Sequence, residues 1–249
     1  MHIKESLEYK ISFILTVISQ LLSVLLELFA VIALFSKFQL LEEYNPYEIL
    51  FSFSIIWLGY SIAETFVRGF DHFGELIKKG NFDLLLVRPR NIFLQILGFK
   101  ISIEKVSRIL VALGILIYSS LKIIKTINIF KILLLFNMFI GSIIIFSAIF
   151  IIGASFAFVT IEGLEIINIF TNGTRQLTQY PLGIYNKIIR IILTIIIPVT
   201  IISYYPLDYL LDKTSNISFV FLPLLSFIPL FLSILVFKQG IKKYNSTGS

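Results

Sequence analysis

Cysteine is absent from this chain and histidine nearly so, with His2 and His72 the only two. The first absence removes disulfides, thiol catalysis and cysteine-ligated metals together. The second removes the histidine clusters with which membrane oxygenases and zinc proteases hold a metal. No H-E-x-x-H, calcium-binding loop or G-x-x-x-x-G-K-[ST] phosphate loop occurs. Ser142 and Ser155 sit in an apolar run that supplies no histidine to activate them. These shortages argue against catalysis by this chain alone and against any metal or cofactor of its own.

Charge is scarce as well. Only 14% of the 249 residues are Asp, Glu, Lys or Arg, against about 25% in an ordinary soluble domain. Hydrophobic residues make up 57% and the mean hydropathy is +0.93. A water-soluble core of this size cannot hide so much apolar surface, so a soluble enzyme is excluded. At about 20 residues per membrane helix, six spans take about half the chain, and what remains is too short for a separate catalytic domain. The expected fold is an all-α polytopic membrane protein with six transmembrane helices in a single domain, 1–249. Strands are excluded because the apolar runs are continuous, not alternating.

The six spans are placed at 11–35, 49–67, 106–124, 132–161, 188–205 and 217–237. The first is too long for a cleaved signal segment, whose apolar region is about 7–15 residues. Before it, 1–10 reads as an interfacial segment. The third is the weakest, with 13 uncharged residues from Ile109 to Leu121. The fourth has no charge at all, and its Gly153 and Ala157 form a small-xxx-small pair that permits close helix packing. Placing both termini inside leaves Lys37, Lys122, Lys125, Lys131 and Lys213 outside and sixteen of the 21 basic residues inside. The positive-inside rule favours that orientation, although Lys122, Lys125 and Lys131 fit it poorly. The formal charge of +6 then reports membrane orientation and not nucleic-acid binding. The expected location is the bacterial cytoplasmic membrane.

Glu27 lies within the first span. A carboxylate there costs about 2.5–3.5 kcal/mol on insertion scales, which makes it a candidate intramembrane polar site; the competing reading puts it near the outer end of the helix, touching water or a polar neighbour. Glu64 is expected to pair with Arg68 one turn on.

The longest charge-rich stretch joins the second and third spans, with 71–97 at its centre. In 80–89 (Gly-Asn-Phe-Asp-Leu-Leu-Leu-Val-Arg-Pro), Gly80 is suited to end a preceding turn and Asn81 to cap the next helix. Asp83 falls in the first turn, where a carboxylate complements the helix dipole. Pro89 forces Arg88 out of helical geometry and stops the segment. A short, stiff cytoplasmic helix with a break at each end follows. Two readings fit it: an in-plane helix with leucines in lipid and basic residues on anionic headgroups, or a docking lever that a partner pushes.

This stretch resembles the cytoplasmic loop of type-2 ATP-binding-cassette (ABC) exporter permeases, in particular the small six-span branch described as ABC-2 family transporter protein. Tyr180 to Tyr185, Ile197-Pro198 and Tyr204-Tyr205-Pro206 are similar to that branch's fifth span and its outer end. The tail 238–249, with Tyr244, Ser246 and Gly248, looks like the family's ending. The resemblance implies a permease subunit of an ATP-driven exporter. Two such subunits, identical or paired with a sister chain, would join two cytoplasmic ABC ATPase subunits that carry the ATP and magnesium. It also implies that Gly80, Asp83, Leu86, Arg88 and Pro89 contact the ATPase as a coupling helix. Asp71 to Glu75 would support that contact, and Glu162, Gly163 and Glu165 would add a secondary one unless they are a solvated helix end.

Few charges along the spans suit amphipathic or hydrophobic cargo such as a lipid, peptide or drug. Phe136, Phe146, Phe150 and Phe156 face either a pathway or lipid and neighbouring helices; periodicity does not decide which. The alternative function is a channel or a carrier driven by an ion gradient, with Glu27 as the ion site, although no internal repeat between 1–124 and 125–249 supports it. A third reading, a membrane enzyme using Asp71-His72 or Glu162–Glu165, lacks an activating third group.

Overall fold

The computed structural model describes residues 10–37, 44–124, 126, 128–160, 164–178, 180 and 182–245. These form an α-helical bundle. In chain order the helices are α1 (Lys10–Lys37), α2 (Pro46–Phe66), α3 (Arg68–Asp71), α4 (Phe73–Lys78), α5 (Asn81–Val87), α6 (Ile92–Leu97), α7 (Val106–Ile123), α8 (Ile129–Phe156), α9 (Leu164–Leu177), α10 (Lys187–Ile191), α11 (Tyr204–Leu210) and α12 (Phe227–Lys243). Among the described residues, five segments are long and apolar enough to cross a membrane: Lys10–Ala33, Pro46–Phe66, Ile103–Ile123, Ile129–Phe156 and Leu222–Lys243. A sixth arises if Lys187–Ile196 and Val199–Leu210, bent by 74° at their junction, count as one. Except for Lys10, the interfacial segment 1–10 lies outside the described residues, as do Glu162, Gly163, Pro181, Ser246 and Gly248.

α2 is the central helix. Its span is 78% buried, whereas the spans of α1 and α12 are 11% and 17% buried and turn apolar side chains outward. α2 starts earlier than the apolar run suggests, because Asn45-Pro46 is a helix start and not a free turn. The Asn45 side chain accepts from the amides of Tyr47 (2.9 Å) and Glu48 (3.1 Å), and the Asn45 amide donates to Glu48 Oε2 at 2.9 Å. Pro46 stands where a missing N–H costs nothing. Close packing against α8 depends on Gly59: a Cβ there would lie 2.4 Å from the Cβ of Ser142.

The fifth segment is broken where a continuous span over 188–205 is expected. Pro198 has no N–H to continue the ladder and drives Ile197 out of helical geometry (φ −122°, ψ 85°). The last span sits further along than 217–237, since α12 runs to Lys243 and carries Lys238, Lys242 and Lys243 on its final turns. Lys131, which fits the orientation rule poorly, is buried and bonds Asp212 at 2.7 Å. At the same end Lys213 meets Glu48 at 3.8 Å. Ser142 and Ser155 back-bond to the carbonyls of Phe139 and Ile151 in their own helix. Phe146 and Phe150 are buried against Tyr60, whereas Phe136 and Phe156 face outward. Gly153 lies in an apolar groove of about 360 Å³ beside Ile149, Phe156, Pro198 and Leu232.

Candidate functional site

Two neighbouring constructions occupy the end of the bundle where α2 gives way to α3. The first is the short helix α5. Gly80 adopts φ +65°, a left-handed conformation that glycine takes without a Cβ clash, and its amide bonds the Ile77 carbonyl at 3.0 Å. Gly80, not Asn81, therefore occupies the cap position, and Asn81 is the first helical residue. Asp83 stands in the first turn. Arg88 is extended (φ −75°, ψ 133°), as a residue before proline should be. Gln95 on α6 pins this exit: its Nε2 donates to the carbonyls of Leu85 and Arg90, both at 3.1 Å.

The seven residues of α5 divide sharply by burial. Phe82 and Leu85 point inward, and Leu84, Leu86 and Val87 are 59%, 38% and 83% exposed. Arg88, Pro89 and Arg90 continue the exposed surface. Phe82 is fully buried, with its ring 4.9 Å from that of Phe73 and 5.0 Å from that of Tyr244, both edge-on. Phe73 and Phe158 in turn pack on Phe237, at 5.0 and 5.3 Å. Phe70 and Phe93 meet Phe237 as well. The cluster thus links α5 to the end of α8 and to α12. Edge-to-face aromatic pairs of this kind contribute about 0.5–1.5 kcal/mol each beyond their burial. Gly240 makes room for it, because a Cβ there would fall 2.3 Å from the Phe158 ring. Burial and the neighbouring Asp83 carboxylate push the Tyr244 phenol up.

The second construction is a polar cavity of about 230 Å³, lined among others by Glu27, Trp57, Glu64, Arg108 and Arg175. Glu64 is buried and receives three cations: Arg68, as the helical spacing predicts, then Arg108 at 2.7 Å and Lys105 at 3.1 Å. Lys105 also donates to Gln20 of α1 at 3.2 Å. Glu27 has a polar neighbour. It pairs with Arg175 of α9, whose guanidinium lies 4.2 Å from the Trp57 ring centre and 5.1 Å from that of Tyr60. One carboxylate serving three cations repays its desolvation only as a set, and removing it would strand them.

Asp71 borders the same cavity, with one oxygen 4.0 Å from Arg68. Burial pushes its carboxyl up, and the nearby Arg68 guanidinium works against that. His72 lies outside the cavity lining and is held between Lys100 (3.0 Å) and Glu75 (2.9 Å). The hydrogen bond from His72 holds the Glu75 carboxyl below its usual range. Arg68 reaches both residues, its Nε lying 3.4 Å from His72 Nε2, so Asp71 and His72 share one cation. Among the described residues no group of acidic or histidine side chains is placed to hold a metal. Glu165 lies on α9.

The structure brings Glu27 and Glu64 to one cavity and leaves Gly80, Asp83, Leu86, Arg88 and Pro89 apart from it, on α5 and its two ends. It adds Arg175, which lies outside all six expected spans. Its signal was available: Thr171, Thr174, Arg175 and Thr178 recur at helical spacing and are all buried, forming a polar stripe that faces inward. Leu177, Thr178 and Tyr180 share a small cavity with Tyr44, Ile49 and Tyr204, so this stretch runs alongside α2.

No curated protein and no solved structure matches the chain. The sequence model of a family described as ABC-2 family transporter protein matches residues 21–248, nearly the whole length. Helices of spanning length, an α-helical bundle and this match agree: the chain belongs to the ABC-2 transporter family, as a multi-pass permease subunit of an ABC transporter and not itself a catalyst.

Proposed function

We propose that the chain is the permease of an ATP-driven exporter in the cytoplasmic membrane, with both termini inside, and that α5 is the point where its ATPase pushes. The observation that carries this reading is the division of α5 by burial. Leu84, Leu86 and Val87 form an apolar tip outside the fold, next to Arg88 and Arg90, while Phe82 is rooted against Phe73 of α4, whose ring packs on Phe237 of α12. A rigid element broken at Gly80 and Pro89 transmits a displacement that a floppy loop would dissipate. Membership of the family implies an ABC ATPase partner in general. Two ATPase copies, each with ATP and magnesium, and a second permease, identical or a sister chain, complete the proposed assembly.

Cargo that binds the inward- and outward-facing states differently gives the cycle its direction. Amphipathic or hydrophobic cargo suits the apolar spans. An ion-coupled carrier built on Glu27 is disfavoured by its engagement with Arg175, which each transport cycle would have to break.

The test is co-expression with the ATPase encoded beside it and purification through either subunit. A complex is expected from the native chain, and Leu84→Asp/Val87→Asp should abolish it and the associated ATPase stimulation while the helical circular dichroism is kept. A double variant that still assembles and stimulates normally would rule out α5 as the contact.

A further inference from the structure

We infer that the polar cavity between α1, α2 and α9 binds an oxyanion group of the phosphate class, carried by a lipid headgroup or by a soluble phosphate. Hydrogen-bond supply and demand inside the cavity are unbalanced in one direction. Trp57 Nε1, Arg108 Nε and Arg175 Nε are buried N–H groups with no acceptor among the described residues, and all three residues line the cavity. The one buried lining acceptor without a donor among the described residues is Asp71 Oδ1. Buried N–H groups without a partner are costly, so three of them on residues that line one cavity mark a place short of acceptor oxygens.

Charge points the same way. On the lining Arg68, Arg108 and Arg175 equal in number the carboxylates of Glu27, Glu64 and Asp71, and Lys105, which stands behind Glu64 at 3.1 Å, adds a fourth positive charge beside them. A cation would meet this surplus of like charge, and a neutral apolar group would leave the donors unpaired. Arg175 is only 5% exposed and its guanidinium plane is fixed in advance by Trp57, Tyr60 and Glu27. A planar, always-charged fork held in place suits bidentate oxyanion recognition. A volume of about 230 Å³ falls below the about 300–1,000 Å³ of pockets that enclose a whole small ligand, which suits a headgroup whose remainder lies elsewhere.

As a cargo site this inference rests on the exporter reading above; the binding itself does not. Trp57 is the only tryptophan in the chain, so its emission reports on this cavity alone. The purified full-length chain in detergent would be titrated with dihexanoyl phosphatidic acid, with inorganic phosphate, and with dihexanoylglycerol, which has the same tails and no phosphate. A saturable emission change with phosphatidic acid is expected, and none with dihexanoylglycerol. Saturation by inorganic phosphate as well would identify a soluble oxyanion as sufficient, whereas a response to phosphatidic acid alone would identify the lipid headgroup. Arg175→Lys and Arg108→Lys keep the charge but lose the fork, and each should weaken binding at least about tenfold. Should Arg175→Lys fail to fold, Arg108→Lys decides, together with Trp57→Phe read by native mass spectrometry. No response to either phosphate probe, an equal response to dihexanoylglycerol, or unchanged affinity in the folded variants would overturn the inference. Because binding is read without the ATPase, it stands or falls separately from the co-purification test.

Discussion

The aromatic cluster beneath α5 and the charge cluster around Glu64 lie at the same end of the bundle, yet they hold it together by opposite physics. In the first, Phe70, Phe73, Phe82, Phe93, Phe158 and Phe237 share contact over many faces, and no single atom is irreplaceable. In the second, one carboxylate serves three cations, and every member depends on it. Dispersion contacts tolerate rearrangement if volume is kept; buried charges tolerate none.

This contrast is broken most severely at Glu64. Glu64→Gln should destabilise by about 3–5 kcal/mol, read as a large fall in the detergent-solubilised melting temperature. Restoring stability by also replacing Arg108 with a neutral residue would confirm that stranded charge, and not lost packing, is the cause. On the aromatic side, Phe82→Ala should cost about 3 kcal/mol but Phe82→Leu under about 1.5 kcal/mol. Unequal losses for these two changes, measured by the same melt, are what a packing joint requires; equal losses would mean that the ring itself is needed. Gly80→Ala should cost about 1–2 kcal/mol through its left-handed backbone and reduce ATPase coupling more than stability.

Titration gives the smallest effects, and two groups of opposite sign. The Asp71 carboxyl is raised by burial, so its contribution to stability is full below about pH 3.9 and is lost as pH rises through the higher folded value. Asp71→Asn should therefore stabilise the chain at pH 7 and leave it unchanged at low pH. The Glu75 carboxyl is lowered by its bond from His72, so its contribution is present above about pH 4.3 and lost as pH falls through the folded value. Half-exposed, it should shift the melting temperature only slightly, and Glu75→Gln should remove that slope.

Much of the fold was legible because membrane helices announce themselves by length and hydropathy alone, and α2, α7 and α8 fall on the expected runs. The 80–89 segment was legible because Gly80 and Pro89 act on their own backbone. The Glu64–Arg68 pair was legible because it lies within one turn. Local rules stop there. Arg175 meets Glu27 across 148 positions, and neither has a neighbour in sequence that reveals the other. The same holds for Phe82 and Tyr244, whose rings meet 5.0 Å apart. The bend at Pro198 was foreseeable from its missing N–H, although the apolar run around it conceals the break.

By itself, then, the sequence determined the solvent of this protein and the breaks that bound the short helix α5, since both follow from composition and nearest-neighbour stereochemistry. Only the tertiary structure decided which charges share a cavity and which rings pack beneath α5. Burial brings together residues far apart in the chain, and the cost of burying a charge or a donor depends wholly on what is placed opposite it.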